Sequence, residues 1–203
     1  MPIIMPGRSG NWSLTDAARL LGEQQHRLIY LCEKGVVEPD LQDAEGRGSS
    51  RRFSNRNLLE FAVALRLRNL ELSAGVIAAV VHVLRAFESA VGREISGFHL
   101  PESLRTSVAP DLRVVISDGR RLYFALAEGA APPRLYGGIQ LEDLKAKKLG
   151  GASSRRPKLK LVKPVDTPWR RTGSADFGGP EGSRHTRVEI SITRIAQDLP
   201  LDA

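Results

Sequence analysis

The side chains able to make or break bonds are few in this chain and widely spaced. Its one thiol is Cys32, and its four histidines stand at positions 26, 82, 99 and 185. A lone thiol can neither close an intramolecular disulfide nor complete a multi-thiolate metal site. The histidines lack the spacing of metal ligands. No paired carboxylates, no serine–histidine–aspartate grouping and no glycine-rich phosphate loop accompany them, so no enzymatic activity, metal or cofactor is expected. The chemistry that the spacing does favour is electrostatic. Arg19, Gln25, His26, Arg27, Tyr30 and Lys34 fall close together, and Arg47, Arg51 and Arg52 lie in a polar, glycine-containing stretch. Arginine and lysine pair with phosphate, while glutamine and other polar side chains hydrogen-bond base edges.

Several elements must position these groups. Ser13 is placed to cap a helix, with Asp16 at the third helical position to close a capping box. Leu14, Ala17, Ala18 and Leu21 then recur at i, i+3, i+4 and i+7, and Gly22 ends the helix through a left-handed residue. The spacing predicts a second helix over about Gln24 to Lys34. Its apolar stripe is Leu28, Leu31 and Cys32, and its other face carries Gln25, His26, Ile29, Tyr30 and Glu33. Cys32 reads as a small buried hydrophobe on that stripe. Gly35 caps the helix, Val36 and Val37 run on extended, and Pro39 keeps the helix from resuming. Two short helices joined by a glycine turn, the second amphipathic, form a helix-turn-helix pattern. The exposed face of the second would supply contacts to base edges. For His26 the alternatives are a DNA contact or plain solvation, and for Tyr30 a DNA contact or packing alone. Residues 40–54, DLQDAEGRGSSRRFS, suit a short β-hairpin that turns Arg47, Arg51 and Arg52 toward phosphate while Phe53 anchors its base. Ser54 caps a third helix, with Leu58, Phe61, Ala62 and Leu65 on one face, and Ser73 caps a fourth.

Four short motifs follow one another here: Leu28-Ile29-Tyr30, the corner Gly35-Val36-Val37-Glu38-Pro39, the run Arg51-Arg52-Phe53-Ser54 with Leu58 after it, and Asn69-Leu70-Glu71-Leu72-Ser73. In order and spacing they make residues 12–77 similar to the DNA-binding domain of the MerR family of bacterial transcription regulators. Ile29 takes the place of that family's arginine, and Gln24 that of the serine before the recognition helix. The resemblance implies a sequence-specific transcription regulator that binds double-stranded DNA as a homodimer on a symmetric operator. Its second helix would lie in the major groove and its wing arginines on phosphate. RNA polymerase or another protein partner would meet the C-terminal region. Two other readings stay open: an excisionase-like DNA-architectural protein, and a protein-interaction adaptor such as an antitoxin or antirepressor. Residues 12–56 hold seven Lys/Arg and seven Asp/Glu, so DNA affinity would depend on how these charges sort onto faces.

Residues 73–91, SAGVIAAVVHVLRAFESAV, place Val76, Ala79, Val80, Val83, Leu84 and Phe87 on one helical face, and Ile77 and Val81 widen it. A helix this apolar is buried on more than one side. Under the family resemblance it is a dimer helix, with Val76, Val80, Val83, Leu84 and Phe87 meeting a second copy; the alternative is the central helix of a monomeric core. The longest apolar run, VIAAVVHVL, is interrupted by His82 and is too short to span a bilayer. The opening MPIIMPGRSG lacks a signal-peptide core. A soluble, cytoplasmic protein without membrane contact is expected. The formal charge of +7 and pI near 10.0 favour a polyanionic partner.

Beyond this helix the pattern changes. DLRVVISDGRRLYFALAEG reads as a β-hairpin turned by Asp118-Gly119. Arg134 to Ile139 adds a strand, and Gln140 to Lys148 a short amphipathic helix. HTRVEISITRI alternates, with Val188, Ile190 and Ile192 on one face of a half-buried strand. The Gly/Pro/Ser-rich stretch before it reads as loop, with Leu159, Leu161 and Val165 leaving room for a strand. Lys145 to Arg171 contains ten Lys/Arg and one acid, Asp166; it is either a DNA-binding arm or a solvated linker. The expected class is α+β: an N-terminal winged helix-turn-helix with a long apolar helix, then a small antiparallel β-rich region. The expected divisions are a flexible N-terminus at 1–11, the DNA-binding domain at 12–72, the apolar helix at 73–91, a hairpin-containing domain at 92–149, a basic loop or linker at 150–186, and a strand with tail at 187–203.

Overall fold

A computed structural model describes residues 10–42, 50–94, 97–118, 121–127, 134–140 and 187–201. Helices and one antiparallel sheet make it α+β, as expected. The chain divides into two compact units: residues 1–81 with 198–203, and residues 82–197. The division falls inside a helix, between Val81 and His82, rather than at either end of it.

In the first unit the chain enters α1 (Leu14–Leu21) at Ser13. The Ser13 Oγ accepts the Asp16 N–H at 3.2 Å, and the Asp16 carboxylate accepts the Ser13 N–H at 3.2 Å. Gly22 closes the helix with φ +64°, and the Glu23 N–H reaches back to the Ala18 carbonyl at 2.9 Å. The helix α2 (Gln25–Glu33) starts at Gln24 without a side-chain cap. At its far end Lys34 is the cap, and Gly35, one residue on, adopts φ +62°. The Gly35 N–H then bonds to Cys32 O and the Val36 N–H to Leu31 O, both at 2.9 Å, which satisfies two carbonyls the helix leaves over. The third helix, α3 (Asn55–Arg68), ends by the same device without a glycine: Glu71 takes φ +59°, and its N–H bonds to Arg68 O at 2.9 Å.

Ser54 caps α3 as expected. The helix is buried more broadly than one face, for Leu59, Val63, Ala64 and Leu67 are covered along with Leu58, Phe61 and Leu65. Phe53 has no exposed surface and meets Phe61 edge-on at 5.2 Å. The backbone pair Gln42–Arg52 joins the arms of the expected hairpin, and Trp12–Phe53 ties its return arm to the segment before α1. Its tip, with Arg47, lies outside the described residues.

The Ser73 hydroxyl accepts the Val76 N–H at 3.4 Å and starts α4 (Ala74–Glu94), 21 residues long. The apolar run alone understated this helix. Alanines, a glycine and Phe87 extend it, so that Ala74–Arg93 has the length and composition to cross a membrane. Most of its apolar side chains, however, are packed inside the protein. Val76, Val80, Val83 and Leu84 are each 7% exposed or less, and half-buried Phe87 stacks on Phe124 at 5.8 Å. The face expected to meet a second copy is therefore covered within one chain.

The second unit is built on a four-stranded antiparallel sheet in the order β3-β2-β1-β4. Its strands are β1 (Asp111–Ser117), β2 (Arg121–Ala127), β3 (Arg134–Gln140) and β4 (Arg187–Ser191). Asp118 follows β1 with φ +52°, but Ser117 pairs with Arg121, so three residues join the strands and not the two of the expected type I′ turn. Leu112, Val114, Ile116, Leu122, Phe124 and Ile190 alternate along the strands as buried residues. The short helix α5 (Leu100–Leu104) is tied to α4 where Glu88 Oε1 accepts the Leu100 N–H at 3.0 Å. The last strand stops at Ser191 instead of running through Ile192, and α6 (Ile192–Gln197) follows. Two hydroxyls account for the switch. Ser191 Oγ accepts the Arg194 N–H at 3.0 Å and donates to Asp111 at 2.6 Å. Thr193 Oγ1 accepts the Leu112 N–H and donates to Pro110 O, both at 2.8 Å. The expected helix beyond Gln140, the basic run 145–171 and the strand near Leu159 lie outside the described residues.

Leu84→Ala should cost about 2–5 kcal/mol in urea unfolding, with a midpoint independent of protein concentration; a concentration-dependent midpoint would place Leu84 between copies. A second outcome concerns Glu71. The left-handed conformation costs a non-glycine residue about 1–2 kcal/mol, of which glycine's freedom in the unfolded chain takes back a part. Glu71→Gly should therefore raise the urea midpoint, and a fall would mean that the Glu71 side chain makes a stabilising contact.

Candidate functional site

Leu28 and Leu31 turn one side of α2 into the core. The helical period then sends Gln25, His26 and Glu33 to the exposed side, with Lys34 exposed at the cap and Ile29 and Tyr30 half-buried at the margin. Gln25 Nε2 donates to Thr15 Oγ1 at 3.0 Å and fastens the start of α2 to α1. His26 is exposed. Arg27 faces the end of α3: it pairs with Glu23 at 2.5 Å and donates to Asn69 Oδ1 at 3.2 Å. Arg19 is exposed and pairs with Asp16 at 3.2 Å. The ring of Tyr30 carries two cations, the guanidinium of Arg68 at 4.6 Å from its centroid and the Lys34 ammonium at 5.7 Å.

A buried polar cluster sets the hairpin beside α2. Asn57 has no exposed surface and Glu60 is 1% exposed. Asn57 Nδ2 donates to Glu38 O and to Glu60 Oε2, both at 2.9 Å, and Asn57 Oδ1 accepts the N–H groups of Asp40 at 3.1 Å and Ser54 at 3.3 Å. Asp40 in turn accepts from Ser54 Oγ at 2.7 Å and Arg56 Nε at 3.1 Å. The corner after α2, the hairpin's return arm and the first turn of α3 thus share one network. Arg51 and Arg52 project from that return arm, both half-buried. Arg51 lines a shallow depression with Cys32, Val37, Glu38 and Pro39. Cys32 is half-buried rather than buried, because it stands at the edge of the Leu28/Leu31 stripe where the chain folds back through Val37 to Pro39.

Hydrogen bonds from the Ser13 hydroxyl and amide, with smaller help from the charges of Arg19 and Arg52, hold the Asp16 carboxyl below its ordinary range. Arg52 therefore lies close enough to α1 for its charge to be felt there. Within this unit lysines and arginines are balanced by aspartates and glutamates. The run 145–171, with ten Lys/Arg against one acid, carries more than the chain's whole surplus of +7. Among the described residues no group of three or more His, Cys, Asp or Glu is placed to hold a metal ion.

Two features escaped the sequence reading. Asn57 carried a usable signal, since a serine followed three residues later by an amide resembles a capping box. Arg68 carried none: an arginine in a last helical turn is already accounted for by the helix dipole. In comparisons with known proteins, no family model and no curated protein matches the chain.

Asn57→Ala leaves buried donors and acceptors unmatched and should cost on the order of 2–4 kcal/mol. Hydrogen exchange at the Asp40 and Ser54 amides should accelerate with it, and unchanged exchange would mean that the corner does not depend on Asn57. The lowered Asp16 carboxyl contributes stability that is present above the unfolded carboxylate range and lost as pH falls through the folded value. In Ser13→Ala the Asp16 titration, followed by NMR, should move up toward the ordinary range.

Proposed function

We propose that the first unit is a winged helix-turn-helix resembling the MerR DNA-binding domain, and that the protein regulates transcription by binding double-stranded DNA. In this reading α2 enters the major groove, Gln25 and His26 face base edges, and Arg51 and Arg52 grip phosphate. The observation that carries it is the network around Asn57, which fixes an arginine-bearing hairpin beside the exposed polar face of α2. A helix alone would be an ordinary surface element; a helix and a hairpin arm bearing Arg51 and Arg52, held in one frame, suit a groove and its flanking backbone. Two copies would be needed on a symmetric operator, and they would join through a surface other than the buried side chains of α4. The balance of charge in this unit favours a second reading, a protein-interaction adaptor, in which Ile29 belongs to a weakened DNA surface.

Selection from randomised duplexes, followed by titration at several salt concentrations, tests this. Arg51→Ala should weaken selected and arbitrary duplexes alike and lower the salt slope by about one. Gln25→Ala should act on the selected site alone, by about 1–3 kcal/mol. Deleting residues 150–171 should leave site preference intact, and a fall of several units in salt slope would identify that run as an additional DNA arm. If no duplex is enriched, and residual DNA binding disappears with the deletion while Arg51→Ala has no effect, the adaptor reading stands in its place.

A further inference from the structure

We propose that the outer edge of β4 pairs with β4 of a second copy, antiparallel about Val188, so that one sheet runs through a symmetric dimer. This interface is independent of the DNA-binding reading above, although it would supply the two copies that a symmetric operator needs. β4 ends the sheet order, and among the described residues no strand lies beyond it. A strand edge carries backbone N–H and C=O groups that a further strand can satisfy. β4 is the more regular of the two edges: its residues pair in step with β1, whereas β3 slips against β2 between Leu122 and Tyr123. Its core-facing side chains show where cover is missing. Ile190, opposite Val114, is 7% exposed, but Val188, opposite Ile116, is only half-buried.

Charge selects the partner and the register. On the other face of β4, Glu189 accepts from Arg113 at 2.9 Å and pairs with Arg187 of its own strand. Edge strands carry charge as a guard against pairing. A guard of one sign would repel a second copy, but Arg187-Val188-Glu189 is complementary to its own reverse. Run antiparallel about Val188, Arg187 of each copy falls opposite the partner's Glu189, and opposite signs alternate around the axis. The two Val188 side chains meet on that axis and continue the core face. Opposite-charge and β-branched cross-strand pairs stabilise a sheet. Other registers lose this. Centring on Glu189 sets two carboxylates opposite each other. Centring on Ile190 runs into α6, which starts at Ile192. A one-residue slip sets the core face against the charged face. A single short ladder is smaller than the interfaces of stable complexes, so dimers form in concentrated protein and dilute protein is monomeric.

The test is analytical ultracentrifugation of the full chain without DNA, from micromolar to millimolar protein. The wild type should pass from monomer to dimer. Arg187→Glu and Glu189→Arg each set like charges across the axis and should weaken association severalfold. Mixing the two variants should restore it, since each charge then faces its opposite. The double variant Arg187→Glu/Glu189→Arg should dimerise alone. Charges with a merely structural role would give no rescue on mixing. If either variant folds poorly, isotope-filtered NMR on mixed labelled and unlabelled wild type serves in its place, and contacts between the Val188 methyls of different copies are expected. Three results would overturn the proposal: a wild type that stays monomeric at millimolar concentration, a dimer that both single variants retain, or intermolecular contacts that leave out Val188. None of them bears on the Arg51 and Gln25 titrations that test DNA binding.

Discussion

The carboxamide of Asn57, with no exposed surface, bonds to Glu38 O, the Asp40 and Ser54 amides and the Glu60 carboxylate. Only asparagine suits that position at that reach. A carboxylate could not donate to the Glu38 carbonyl, a hydroxyl could not serve both sides, and an apolar group would strand buried polar atoms. Through these bonds the corner at Glu38–Asp40, the hairpin's return at Ser54 and the start of α3 become one rigid joint. The angle at which Arg51 and Arg52 stand beside α2 follows from it.

The other determinant is how each helix stops. Gly22 and Gly35 end α1 and α2 in left-handed conformations, and Glu71 ends α3 in the same way at greater cost. These stops set the short turn between α1 and α2 and send Val36 and Val37 into the core. They also bring Arg68 and Asn69 to the edge of α2, where Arg27 and Tyr30 receive them. The candidate surface is thus assembled from the ends of helices as much as from their faces.

What could be read from the sequence was local. Ser13 with Asp16, Gly22 and Ser54 each act within a few residues and take their expected roles, while Gly35 stands one residue beyond the Lys34 cap and Asp118 opens a three-residue connection. What could not be read was decided over distance. The apolar face of α4 is the same whether a second copy or the same chain covers it, and packing alone decides that Val80 and Leu84 are buried within one chain. Alternation predicted that β4 would continue through Ile192, but Thr193 bonds to Pro110 and Leu112 far away in sequence and turns the chain into a helix. Cys32 lay at the margin of a stripe, where a residue's burial depends on the segment that folds back over it. Arg68 entered the candidate surface only because Tyr30 lies beneath it.

Under the proposed function, α2 and the hairpin arms form one surface that meets duplex DNA. Titrating isotope-labelled protein with a duplex and following the backbone amides by NMR tests this most directly. Shifts concentrated at residues 25–34, 50–53 and 66–69, with the amides of 111–127 unmoved, are the predicted result. Shifts confined to the sheet unit, or none within 25–34 while the duplex is bound, would contradict it.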